Sequence, residues 1–104
     1  MTKIRRRKKI DVLGYLICVE YREKVYRRGK SVSAYIEFDD NKIFIATKGK
    51  SEYEIFQSLI HEVLHYIKLI LRIPVSDDTE EEVEIDAMAV GVAQLIINNN
   101  FISG

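Results

Sequence analysis

The chain reads as an α+β domain, because strand-like segments fill its first half, helical segments fill its second, and the connections between them are short. Its 104 residues allow one hydrophobic core and exclude a second folded domain. Hydrophobic residues make up 47% and charged residues 31%, with a single Pro, a balance that excludes fibrous and intrinsically disordered chains.

Six of the first nine residues are basic, and they predict a basic arm over residues 1–9 ahead of a domain over residues 10–104. Strands are expected over Ile10–Leu13 and Tyr15–Tyr21, where β-branched and aromatic residues flank Gly14. Residues 22–33 are polar and basic and are expected to form a surface loop. Ala34–Phe38 and Lys42–Thr47 flank Asp39, Asp40 and Asn41, a spacing and chemistry suited to a hairpin. The expectation is a small antiparallel sheet of three to four strands.

Ser51 and Glu54 make a capping box that opens a helix over Glu52 to about Arg72, ended by Pro74. Its apolar face centres on Leu59, Val63, Ile67 and Ile70. Thr79 and Glu82 repeat the capping pattern, so a second helix is expected from Glu80 to about Asn98. Both helices should pack on one side of the sheet.

The formal charge is zero, yet residues 1–30 carry eleven bases against three acids, and residues 75–104 carry seven acids and no base. Such a dipole suits an acidic partner, nucleic acid or plain solubility equally well. The basic start followed by Val12 to Val19 imitates a secretion signal, but Asp11 interrupts it and charged residues stand where a cleavage site belongs. A cytoplasmic protein without a membrane span is expected. The single Cys18 supports neither an internal disulfide nor a cysteine zinc site, and reads as a core thiol.

The chemistry concentrates in His61-Glu62-Val63-Leu64-His65. Residues four apart lie one helical turn above each other, so both imidazoles can reach one metal ion while Glu62 projects beside it as a general base. A zinc site needs a third protein ligand. Glu84 is the first choice, because it shares a helical stripe with Met88, Gly91 and Leu95, where an inward carboxylate needs a compensating cation and Gly91 permits close helix approach. Glu80 and Glu81 are the runners-up, and Asp86 is expected to point away from the site. Tyr35, Tyr53 and Tyr66 are alternatives for stabilising an oxyanion, and the sequence does not choose among them.

These residues resemble the gluzincin-type metallopeptidases, specifically the ImmA/IrrE-like family and short phage-encoded zincin-like proteins. That family pairs His-Glu-x-x-His with a later Glu-Ala-Asp-x-Phe-Ala helix, and here Glu84-Ile85-Asp86-Ala87-Met88-Ala89 follows at nineteen residues from His65. The resemblance implies a minimal zincin-like fold, Zn²⁺ held by His61, His65 and Glu84, and Glu62 as catalytic base. It also implies a protein or peptide substrate, in relatives often a transcriptional repressor, and a mobile-element setting. A non-enzymatic interaction module that keeps the metal as a staple is the alternative. Nucleic-acid binding through the basic arm is weaker still, because no aromatic residues interleave its cations.

Overall fold

A computed structural model describes residues 7–74 and 77–99. Among the described residues six strands precede two helices: β1 (Arg7–Val12), β2 (Tyr15–Arg22), β3 (Val25–Arg27), β4 (Lys30–Val32), β5 (Ala34–Glu37), β6 (Lys42–Ala46), α1 (Glu52–Ile70) and α2 (Asp78–Asn98). The protein is α+β, with both helices on one side of the main sheet.

Two tight turns of the same kind help build the strand layer. Leu13 and Gly14, at φ 53° and 88°, join β1 to β2, and the Gly14 amide donates to Asp11 Oδ1 at 2.8 Å. Two consecutive left-handed residues match the twist of the strands they connect. Arg28 and Gly29, at φ 54° and 76°, do the same between β3 and β4. That second hairpin occupies the segment expected as a loop; its only inward apolar residues are Val25 and Val32, too few to stand out among the bases. Residues 7–9 of the expected basic arm extend β1 and pair with β2, and the remainder of the arm lies outside the described residues.

The main sheet has the order β1-β2-β6-β5. It is mixed and not wholly antiparallel, because β6 returns from the β5 hairpin to lie parallel to β2. Alternation then sorts the side chains. Ile17, Val19, Ile36, Ile43 and Ile45 face Ile55, Leu59 and Tyr66 of α1 in the main core. Phe44 and Ala46 face the other way and are covered by Val25 of the small hairpin. Cys18 alternates with Ile17 and Val19, so it lies off the main core and half-buried. Glu20 shares that outer face, buried between Arg7 (3.2 Å) and Arg22 (2.7 Å).

The capping box of α1 is present: the Glu54 amide donates to Ser51 Oγ at 3.1 Å, and the Ser51 amide donates to Glu54 Oε1 at 3.3 Å. α2 begins two residues before the expected Glu80, because Asp77 is the cap and accepts the Glu80 amide at 2.7 Å. Its inward stripe is Ile85, Ala89 and Ala93, all fully buried. The expected stripe faces outward, with Met88 46% and Leu95 54% exposed, and no atom lies within 4 Å of a Cβ built at Gly91. Small Ala side chains, and not Gly91, bring the two helices together. No helix among the described residues is long and apolar enough to cross a membrane.

Candidate metal centre

Two faces of α1 have distinct tasks. Ile55, Leu59 and Tyr66 bury against the sheet, and Glu62 falls on the same buried face. Tyr66 is fixed further by its hydroxyl, which donates to Asn41 Oδ1 in the β5–β6 turn at 3.1 Å. With the helix held in this way, the flank carrying His61 and His65 turns towards the first three turns of α2.

There the two imidazoles meet three carboxylates. His61 Nδ1 lies 2.7 Å from Asp86 Oδ1, and His65 Nδ1 lies 3.0 Å from Glu81 Oε1. With both Nδ1 atoms engaged, the Nε2 atoms converge on a common point 3.2 Å apart. Glu82 closes the triangle, with Oε2 at 3.3 Å from His61 Nε2 and Oε1 at 2.8 Å from His65 Nε2.

This geometry has a simple electrostatic reading. If each Nδ1 donates its proton to its carboxylate, each Nε2 presents a lone pair, and Glu82 adds only acceptors. Three acceptors facing one another repel unless a cation lies between them. Ligand atoms about 2.0 to 2.2 Å from a tetrahedral metal are roughly 3.3 to 3.6 Å from each other, close to two of the observed separations. The outer carboxylates are also the partners that orient metal-binding imidazoles. His61, His65 and Glu82 therefore form a group that could hold a metal ion.

The expected third ligand, Glu84, is elsewhere. At 100° per residue it lies about 200° around α2 from Glu82, its side chain is 62% exposed, and its carboxylate sits 3.7 Å from Lys68 Nζ. The runner-up Glu81 does reach the site, but at the outer nitrogen of His65. Asp86, expected to point away, instead holds His61. A legible signal existed: Glu82 and Asp86 are four residues apart and must share a helical edge.

Glu62 is 6% exposed, and its Oε2 lies 4.0 Å from His61 Nε2. Burial pushes its pKa up from 4.5 to about 7, with Glu82 and Asp86 adding to the rise while His61 and Arg27 oppose it. Among the tyrosines, only Tyr35 lines the adjoining cleft; Tyr66 is committed to Asn41, and the Tyr53 hydroxyl is buried without a partner. That cleft, of about 640 Å³, runs between α1 and β5 with Arg27 of the small hairpin above it. Compared with family models, curated proteins and solved structures, the chain matches none.

Proposed function

We propose that the chain is a zinc-dependent peptidase in which His61, His65 and Glu82 hold the metal and Glu62 is the base. The observation that carries this reading is the convergence of two Nε2 atoms and a carboxylate on one point, with a buried carboxylate of raised pKa beside it. Two imidazoles and one carboxylate are a common zinc set that leaves a position open. The His-Glu-x-x-His part of the gluzincin resemblance supports it, with Glu82 in place of Glu84.

A bound Zn²⁺ supplies Lewis acidity, acidifying water and polarising a carbonyl. The residues do the rest. Glu62, buried beside His61, would take a proton from the attacking water and deliver it to the departing amine. Asp86 and Glu81 keep each imidazole in the tautomer that presents Nε2. β5 is an edge strand of the sheet and lines the cleft, so an extended peptide can add to it through main-chain hydrogen bonds.

The test is Glu62→Gln in zinc-loaded protein, assayed by mass spectrometry against a mixed peptide library. The variant should keep its zinc and fold while losing at least 100-fold in cleavage rate. Cleavage at the wild-type rate removes Glu62 from the reaction, and loss of zinc makes it a ligand.

One observation favours the second reading, a metal-stapled interaction module. Beyond Met88 and Leu95, α2 leaves Val83, Val90 and Ile97 exposed. A helix apolar on several sides commonly has more than one neighbour. This reading predicts zinc-dependent folding with no cleavage of any peptide and no effect of Glu62→Gln on a partner's affinity.

A further inference from the structure

The cleft beside the histidines differs in chemistry from one end to the other. Towards the start of α1 it adjoins Ser33, Gln57 and Ser58. Towards the end of α1 it is lined by Phe38, Leu69 and Ile73, which are 41%, 54% and 43% exposed. Three large apolar side chains thus remain uncovered at one end of the same cleft.

That apolar end is built, not frayed. Leu69 continues the His61-His65 flank at the next four-residue step. Past it, the Arg72 amide donates to the Leu69 carbonyl at 3.2 Å and the Ile73 amide to the Lys68 carbonyl at 3.0 Å. With Arg72 at φ 53°, this pair of bonds is a Schellman closure that fixes the chain at Ile73. Phe38 follows directly on β5 and stacks near Tyr66, with ring centroids 6.3 Å apart.

Resting on the peptidase reading above, we infer that the site selects peptides with a bulky apolar side chain two residues before the bond to be cut. Leu69 lies about 6 Å along the helix axis from His65 at 1.5 Å per residue. An extended chain covers that distance in about two residues. β5 runs from Ala34, at the polar end, towards Phe38, at the apolar end. A peptide added antiparallel to it enters from the Phe38 end, so the residues before the scissile bond meet the apolar wall.

The test compares two probes, acetyl-Leu-Gly-hydroxamate and acetyl-Gly-Gly-hydroxamate, by calorimetry on the zinc-loaded full chain. The hydroxamate anchors each probe on the metal and puts the variable residue two positions away. The Leu probe should bind ten- to a hundredfold more tightly, the effect of burying one Leu side chain. Leu69→Ser and Ile73→Ser, at exposed positions that leave the fold intact, should shrink that ratio to under threefold when combined. Equal affinities in the wild type, or a ratio unchanged in the double variant, overturn the inference while leaving the peptidase reading in place. If neither probe binds although zinc does, the metal has no open position, and both fall together.

Discussion

α1 and α2 are nearly equal in length and meet along one side, but they are held in different ways. α1 lies between the sheet and α2, so its orientation is fixed by Ile55, Leu59 and Tyr66 on one face and by α2 on another. α2 docks mainly through Ile85, Ala89 and Ala93 and leaves much apolar surface open. The candidate metal centre joins the two: α1 supplies the imidazoles from a rigid support, and α2 supplies the Glu81, Glu82 and Asp86 carboxylates that meet them. A cation bound there would tie the loosely held helix to the firmly held one.

The sharpest way to break this comparison is to exchange carboxylates on α2. Glu82→Ala should weaken zinc binding at least 100-fold in competition titrations, because it removes one of the three proposed ligands. Glu84→Ala should change it less than threefold, since it removes only an exposed partner of Lys68. The reverse result would mean that α2 is turned about its axis by some 200° and that Glu84 is the ligand after all.

A smaller effect is expected one step out from the metal. Asp86→Asn keeps a hydrogen-bonding side chain near His61 but loses the charge that stabilises its Nδ1 proton, and should cost 10- to 100-fold in zinc affinity. The proton at His61 Nδ1, followed by nitrogen NMR in zinc-loaded protein, should exchange faster in the variant. An unchanged affinity would demote the Asp86 contact to a surface ion pair.

The same contrast explains what the sequence made legible. On α1 the apolar residues and the capping box fixed the helix, and His-Glu-x-x-His marked the flank where the candidate site lies. The hairpin of Asp39, Asp40 and Asn41 was legible too, because turn residues act locally. α2 resisted, because apolar residues surround it and no single face is unique by periodicity. Assigning the larger Met88 and Leu95 to the interior placed Glu84 at the site, whereas close helix packing selected the small Ala89 and Ala93. Pairing Glu82 with Thr79 in a capping box hid it as a candidate ligand, although Asp77 is the cap in place of Thr79. The parallel β2–β6 pairing is a long-range choice that no local pattern records.

Glu62 offers a test of how firmly α1 sets its surroundings. Its pKa is about 7 in the fold against 4.5 ordinarily, so the folded state binds the extra proton between those values. Metal-free protein should therefore lose stability from this group as pH rises from about 4.5 to about 7, and keep that loss above it. Glu62→Gln removes the buried charge. At pH 8 it should stabilise metal-free protein by about 3 kcal/mol in denaturant titrations, and at pH 4 the gain should disappear. A gain that is the same at both pH values would show that packing, and not charge, is responsible.

The smallest effect belongs to the open side of α2. Met88→Gln and Leu95→Gln should each change stability by less than about 0.5 kcal/mol in a monomeric sample, because both side chains are about half exposed already. Ala89→Leu, on the buried stripe, should cost about 1 to 3 kcal/mol by overpacking the helix contact. The informative variable is concentration. If α2 uses its open side to bind a second copy of the chain, the Gln variants will lose stability at high protein concentration and not at low, since only association couples the two. A concentration-independent loss at Met88 or Leu95 would instead show that these side chains are packed within the monomer, and that the second helix is held on more than the one face described.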